Sequence, residues 1–497
     1  MTTSYDHASL AGRELAVAMT AQLDGGLRAH FRHPGRQEDL TFAIWRPSSG
    51  SRRFTAVLHT LLLPSDHERI LDGNVSFTAD YLSRVLGAVP AGCGVALLHS
   101  HLGPGWQDMS NDDVVAERDR LASAMAGHTG LPLLGLTWGA DRTWSARFWA
   151  RTASFVYSRL DAAVVRVVGP DRLALSFHPT LRPAPATPPS QQATVSVWGD
   201  EAQHDVARTR VGVIGVGSVG SIVVEALARV GVSDITAIDH DRVEQRNLDR
   251  TLHASRHDAE TRTHKVTVAE RGARTSHTAE HFQFTSLPIN VLTSEGYEAL
   301  LDCDVIISCV DRPWPRWLLN AVSYAHLIPV VDGGILARIT PDGRPLHIDW
   351  RIHTVGPGRA CLICLGALLR SDVALDRDGL LDDPDYLKGL TEQERERYNR
   401  RNVFPFSLSV AAHEVLQLVG LVAGSQRVGG VGTQHYSAYP GEMTVAEITG
   451  CAADCETADL LASAADIGHD LPPAGRGKTE PDSSMGPTSG RRKDNDD

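Results

Sequence analysis

The sequence predicts an α/β protein of two units, the second a doubly wound, mainly parallel sheet. Three observations lead there. Between residues 210 and 331, short β-branched runs alternate with helical patterns, as βαβ units require. A glycine-rich turn joins the first of those runs to its helix. A separate series of apolar strands and helical patterns occupies residues 41–157, ahead of a Pro- and Ala-rich stretch at 178–194. The boundaries that follow are a first domain over 1–177, a linker over 178–199, a second domain over 200–465 and a disordered tail over 466–497.

The second domain opens RVGVIGVGSVGSIVVEALARVGVSDITAIDHDRVEQRNLDR from Arg210. Arg210–Ile214 reads as a buried strand, Ser221–Val230 as a helix and Ile235–Ile238 as the next strand. Gly215, Gly217 and Gly220 make G-x-G-x-x-G between the first strand and the helix. That pattern permits a tight turn, close backbone approach and phosphate binding at the helix N-terminus. Asp239, past the second strand, can hold a ribose hydroxyl. These features alone fit NAD or FAD as a nucleotide. Arg250 and Lys265, beyond that acid, suit a nucleotidyl transferase instead, because charge develops on the α-phosphate and the departing pyrophosphate. Asp304–Val310 reads as a third strand; Asp311 at its end suits Mg²⁺, and Arg316 and Asn320 follow on a helix.

Together these residues resemble the adenylating domain shared by ubiquitin-activating enzymes and the ThiF/MoeB enzymes of sulfur-carrier activation. That family carries G-x-G-x-x-G, D-x-D, N-x-x-R, a downstream Lys, and D-x-x-x-x-R with a later Asn. Here the same signals run in order as Gly215/Gly217/Gly220, Asp239/Asp241, Asn247/Arg250, Lys265 and Asp311/Arg316/Asn320. The resemblance covers roughly residues 200–460 and implies a Rossmann-like fold that binds ATP with Mg²⁺. It implies that Asp239 binds ribose with Asp241 and Arg316 in the same nucleotide site, that Asn247, Arg250 and Lys265 bind phosphates, and that Asp311 binds Mg²⁺. Arg250 and Asp311 would act directly in the chemistry. A homodimer through this domain is also implied.

In the first domain, Leu10–Leu23 has helical apolar spacing, Thr41–Trp45 and Phe54–Leu63 read as strands, and Asp80–Val89 reads as a helix. The apolar strand Cys93–Leu98 runs into His99-Ser100-His101, and a Gly/Pro loop leads to Ser110, a good N-cap for the helix Val114–Met125. Histidines at i and i+2 of a strand point to one side, and Asp113 on the next helix's first turn can complete a set of three ligands. Three protein ligands plus water is the form of a catalytic zinc site. Such a site also needs a base, for which Glu38 lies at the start of an early strand, and an oxyanion donor, for which Ser110 is near. Asp39 and Glu68 are further upstream acids. This arrangement resembles the JAMM (JAB, MPN⁺) metalloprotease domain, whose pattern is a distant Glu, H-x-H, a loop and S-x-x-D. Leu102 stands where that family usually has Pro, and the loop is one residue longer. Leu131–Thr137, Ala146–Ala150 and Phe155–Tyr157 continue the domain.

Farther on, Leu327–Val331 reads as a strand, residues 372–402 as a charged excursion over the nucleotide site, and Phe406–Val422 as a core helix. Cys361-x-x-Cys364 and Cys451-x-x-x-Cys455 make two close pairs able to hold a second, structural zinc tetrahedrally. The first pair matches half of the zinc clip of many adenylating-family members. In those enzymes a thioester-forming cysteine usually lies between the halves of the clip, and no cysteine occurs between Cys364 and Cys451. Cys93, Cys303 and Cys309 sit in or beside apolar strands and are expected to be buried and inert. Adenylation without a self-thioester is therefore expected.

A formal net charge of −12 argues against nonspecific nucleic-acid binding. The N-terminus lacks a signal-peptide pattern and no apolar run approaches membrane-spanning length, so a cytoplasmic protein with no membrane partner is expected. The expected function is bifunctional. One half trims or removes a ubiquitin-like protein by zinc-dependent (iso)peptidase action, and the other adenylates its C-terminal carboxylate. The setting expected from resembling fusions is bacterial ubiquitin-like conjugation, in some cases phage defence, with a Gly-ending carrier and a conjugating enzyme as partners. The rivals are sulfur-carrier activation for small-molecule biosynthesis and a noncatalytic scaffold for ubiquitin-like proteins.

Overall fold

A computed structural model describes residues 5–32, 37–72, 74–339, 345–391, 402–424, 428, 431–447 and 449–467. The expected tail beyond Ile467, and residues 392–401 of the charged excursion, lie outside the described residues.

The N-terminal half is a nine-stranded mixed sheet in the order β11-β10-β1-β3-β2-β6-β7-β8-β9. Its strands are β1 (Glu14–Thr20), β2 (Leu40–Ser49), β3 (Arg53–Leu62), β6 (Gly94–Ser100), β7 (Leu133–Trp138), β8 (Trp144–Ala153), β9 (Val156–Asp161), β10 (Val164–Val168) and β11 (Leu173–Phe177), with a small ribbon of β4 (Arg69–Asp72) and β5 (Asn74–Phe77) between. The expected helix over Leu10–Leu23 is a correction. Its middle is β1, a central strand paired in parallel with β3 and β10, and a helix starts only at Ala21. Leu15–Met19 is buried on both faces of the sheet. A run that is apolar at every position has no period to separate strand from helix. Helix Ala79–Ala88 covers one sheet face and packs Tyr81 and Val85 against Phe42, Val95 and Leu97.

The C-terminal half is an eight-stranded sheet in the order β14-β13-β12-β15-β16-β17-β18-β19. The strands are β12 (Arg210–Ile214), β13 (Asp234–Ile238), β14 (Gln283–Leu287), β15 (Val305–Ser308), β16 (Val330–Ile339), β17 (Pro345–Val355), β18 (Thr433–Ser437) and β19 (Glu442–Ala446). β14 to β16 are parallel and β17 to β19 form an antiparallel extension. Because β12 lies between β13 and β15, the winding direction reverses there. That reversal opens a crevice at the C-terminal ends of β12 and β15. Helix Phe404–Ala423 is long and apolar enough to cross a membrane by length and composition, although its sequence was not expected to reach that length. Here it is a core helix, with Val410, Val415, Leu418, Val419 and Leu421 buried beside the sheet.

The halves share one apolar core, in which Ala18, Val57 and Val168 meet Val211, Val213 and Val305. A buried ion network crosses the same junction. Arg53 Nη1 lies 2.7 Å from Asp304 and its Nη2 2.7 Å from Glu14, while Arg166 Nη1 lies 3.4 Å from Asp304 and donates to Cys303 O at 2.7 Å. Asp304 also accepts from Arg210 N at 2.9 Å. Residues 178–199 pack along this junction: Arg182 reaches Glu14 at 3.1 Å, and Gln191 is buried and accepts from Gln203 at 3.1 Å.

Candidate active sites

The crevice at the sheet reversal gathers the nucleotide-site candidates. Gly215 follows β12 at φ +83°, and a Cβ there would stand 2.8 Å from Cys309 O, so both backbone conformation and space require glycine. A Cβ on Gly220 would meet Gly215 O at 1.9 Å, which is how closely helix Ser218–Val230 packs on the turn. Gly217 faces open space and caps that helix without a side-chain bond, so the first-turn amides remain open to an anion.

Asp239 accepts from Val216 N at 2.7 Å and from Asp241 N at 2.8 Å, tying the end of β13 to the glycine turn. Burial holds its carboxyl above the ordinary range against the pull of Lys265. Lys265 begins the helix Lys265–Ser276 and its Nζ reaches Asp241 at 2.7 Å. Burial works to lower the Lys265 ammonium, but the charges of Asp239, Asp241 and Asp311 outweigh it and hold it above its usual value. Asp311, exposed past β15, thus shares one electrostatic neighbourhood with the residues past β13.

The turn carrying Asn247 and Arg250 is pinned beside the same helix, since Leu252 N donates to Ser221 Oγ at 3.0 Å. Asn247 Oδ1 accepts from Glu244 N at 3.0 Å, and Arg250 Nη1 donates to Arg246 O at 2.6 Å and pairs with Asp249. Arg316 has its fork on Asp332, with Nε at 3.0 Å from Oδ1, rather than open to phosphate. Asn320 is fully buried and accepts from Leu362 N at 2.8 Å, which makes it a brace for the cysteine loop.

Asp332 was not singled out in the sequence. It is buried, pairs in register with Ser308 at the end of β15, and also receives Arg351 Nη2 at 2.9 Å and Ser308 Oγ at 2.9 Å. Burial opposes its ionisation, yet Arg316 and Arg351 hold its carboxyl down to about 2. An acid closing the apolar run Leu327–Val331, as Asp311 closes β15, was the available signal. Behind it, a Cβ on Gly333 would stand 2.2 Å from Glu414 Oε1, and burial pushes the Glu414 carboxyl well above its ordinary range.

Residues 190–373 match the ThiF family. The chain has relatives that are adenylyltransferases by name. It is 32% identical over 173 residues to the molybdopterin-synthase adenylyltransferase of Escherichia coli (strain K12), covering 34% of this chain and 62% of that protein. It is 30% identical over 155 residues to the adenylyltransferase and sulfurtransferase UBA4 of Yarrowia lipolytica (strain CLIB 122 / E 150), covering 29% and 36%. It is 27% identical over 165 residues to the sulfur carrier protein ThiS adenylyltransferase of Bacillus subtilis (strain 168), covering 32% and 48%. The chain spans less than two thirds of each relative's length. The crevice from β12 to Arg316 lies inside the ThiF family match; the N-terminal histidines and Cys451/Cys455 lie outside it.

A second cluster sits at the end of β6. Ligand atoms of His99, His101 and Asp113 all lie within 4.8 Å of one another, with the two Nε2 atoms 3.1 Å apart and Asp113 at 3.6 and 3.4 Å from them. Burial, with Arg147 beside it, pushes His99 down to about 3, so its imidazole is neutral. Burial works to raise Asp113, but the hydrogen bond of His101 and the neighbouring His99 outweigh it and keep the carboxylate ionised. Two imidazoles and a carboxylate whose ligand atoms converge in this way are a donor set that fits zinc. Ser110 is the N-cap expected, and its hydroxyl donates to Asp113 Oδ2 at 2.8 Å, so its hydrogen orients that carboxylate.

β2 pairs antiparallel with β6, Leu40 opposite His99, and two further residues of that register set Glu38 opposite His101. The Glu38 charge raises His101, after the larger effect of its hydrogen bond to Asp113. The other upstream acids are engaged elsewhere: Asp39 is buried against Arg69, and Glu68 pairs with Arg84 at 2.7 Å. Beneath His99, Thr137 Oγ1 lies 3.4 Å from its Nε2 and accepts from Arg147 Nη1 at 2.6 Å. Arg147 is buried with Glu117, which a π-helical stretch, Val115–Leu121, turns inward and which also takes Trp149 Nε1 at 2.6 Å.

The four cysteines also converge, all sulfurs within 4.8 Å and Cys361 Sγ 3.6 Å from Cys455 Sγ. Hydrogen bonding from Cys451 holds the Cys361 thiol down to about 4, while the same hydrogen bond pushes Cys451 up and burial pushes Cys364 up. Burial pushes Cys303 up to about 12 and Cys309 well above its usual value. Those two are poor nucleophiles.

Proposed function

We propose that the chain activates the C-terminal carboxylate of a ubiquitin-like or sulfur-carrier protein as an acyl-adenylate, and trims or releases such a protein at a zinc peptidase site in its JAMM-like N-terminal half. The observation that carries the adenylation is the gathering of the glycine turn, Asp239, Lys265 and Asp311 around one crevice inside the ThiF family match. The carrier carboxylate attacks the α-phosphate of ATP, the α–β bridge breaks and pyrophosphate leaves. Asp239 holds the ribose, the amides after Gly217 and the cations Lys265 and Arg250 take the growing phosphate charge, and Arg250 turns from Asp249 to do so. Asp311 would hold Mg²⁺, which neutralises the leaving pyrophosphate.

In the N-terminal half, His99, His101 and Asp113 would hold a zinc ion, which supplies an acidified water and polarises the scissile carbonyl. Glu38, opposite His101, takes the proton of the attacking water and returns it to the leaving amine. Ser110 holds Asp113 in place, and Thr137, tied to Arg147, lies beneath the His99 ring. The four cysteines would hold a second, structural zinc. A trimmed C-terminus is what the adenylating crevice needs, and the buried junction joins the two sites in one molecule.

Sulfur-carrier activation is the second reading. It is favoured by relatives named for molybdopterin synthase and ThiS, and by the raised thiols of buried Cys303 and half-buried Cys309, which make both poor candidates for a self-thioester. Carrier-dependent exchange of labelled pyrophosphate into ATP tests the adenylation. Cleavage of a carrier carrying a C-terminal extension, before and after His101→Ala, tests the peptidase.

A further inference from the structure

Arg359 is 2% exposed, yet its Nε, Nη1 and Nη2 all lack a hydrogen-bond partner among the described residues. A buried guanidinium without an acceptor is costly, and such groups are normally paired. No ion pair reaches it among the described residues. The acid whose field acts on it is Asp171, which lies exposed in the β10–β11 turn.

The guanidinium lines a small cavity with His353, Gly432, Thr433 and Thr449. None of these is acidic. His353 Nε2 is 2.7 Å from Ala360 O and its Nδ1 2.8 Å from Thr433 Oγ1, so the ring donates at Nε2 and the threonine hydroxyl donates to Nδ1. Neither can neutralise the arginine. The space open to the centre of a water-sized sphere is about 10 Å³, so a slightly wider monatomic ion also fits. Phosphate or sulfate is too large. A water would accept one or two of the N–H groups and leave the charge uncompensated.

We propose that this cavity is a halide site: a single chloride ion, held by the three unpaired Arg359 nitrogens, completes the structure here. The position explains why it would matter. Gly358 packs against Pro170 of the N-terminal half, a Cβ there standing 3.2 Å from the proline ring, and Arg359 O lies 3.7 Å from Cys451 Sγ. The ion would brace the junction of the halves and the start of the cysteine cluster together.

The test uses the full chain with its zinc. Thermal unfolding is followed in sodium chloride and in sodium gluconate, whose anion is too large for the cavity, at one ionic strength. Crystals soaked in bromide are examined for anomalous scattering. Chloride at many times its dissociation constant should raise the unfolding midpoint by roughly 3 °C or more. Arg359→Met should abolish that rise, and Asp171→Asn should keep it. Bromide should give a peak beside Arg359 in the wild-type crystals, which needs no variant to fold. The proposal is overturned by a wild-type midpoint indifferent to chloride, even with a bromide peak, which would mark an adventitious ion only. It is equally overturned by loss of the response in Asp171→Asn, which would make Asp171 the counter-ion.

Discussion

Replacing Asp304 by Asn should loosen the joint on which both sites depend. Asp304 is fully buried with Arg53 Nη1 at 2.7 Å, Arg166 Nη1 at 3.4 Å and Arg210 N at 2.9 Å. The amide keeps the shape but removes the charge between two buried guanidinium groups. Breaking a buried pair from one side costs about 3–5 kcal/mol. At roughly 2–4 °C per kcal/mol for units of this size, the midpoint should fall by roughly 6–20 °C. Burial opposes the ionisation of Asp304, but Arg53 and Arg166 hold its carboxyl well below the ordinary range. A depressed folded-state value gives stability that is complete above the unfolded pKa of about 3.9 and is lost as pH falls below it. The variant should therefore show a shallower acid slope below about pH 4 than the wild type. Denaturant unfolding at neutral pH and at pH 3 measures both effects. Arg53→Met combined with Asp304→Asn should cost less than the sum of the two single changes. A loss under about 1 kcal/mol, or strict additivity, would refute the network as the joint.

His101→Ala should lose one equivalent of zinc and all hydrolysis of an extended carrier, with pyrophosphate exchange unchanged; cleavage that persists after chelation and dialysis would sink the assignment. Cys361→Ser with Cys455→Ser should lose the other zinc and lower the unfolding midpoint, because that metal supports folding rather than chemistry; unchanged zinc content would contradict it. Gly220→Ala should damage the nucleotide crevice directly, since its Cβ would stand 1.9 Å from Gly215 O; nucleotide binding measured by calorimetry should drop steeply, and wild-type affinity would show that the turn is looser than described.

The crevice was legible because its signals are local. The glycines, Asp239 and Asp311 sit at strand ends, and one βαβ period fixes which end they share. The H-x-H pair was legible for the same reason, a strand putting i and i+2 on one side. What the sequence hid depends on pairing across the fold. β1 looks helical because a strand buried on both faces has no alternation to read. Glu38 separates from Asp39 and Glu68 only through the β2–β6 register and through the arginines that claim the other two. Asp332 and Arg351 meet Arg316 across strands β16 and β17, so nothing near Arg316 in sequence announces that its fork is taken. Residues 178–199 have a linker's composition but carry Arg182 and Gln191 into the junction, contacts that composition cannot show.

The most direct measurement is carrier-dependent exchange of labelled pyrophosphate into ATP by the wild type, Asp311→Ala, Arg250→Ala and His101→Ala. The account predicts exchange by the wild type and by His101→Ala, none by Asp311→Ala, and a loss of about two to three orders of magnitude for Arg250→Ala if it acts like other preorganised donors to developing charge. Exchange that survives both Asp311→Ala and Arg250→Ala would contradict it, as would NAD binding by the wild type with no exchange from any carrier.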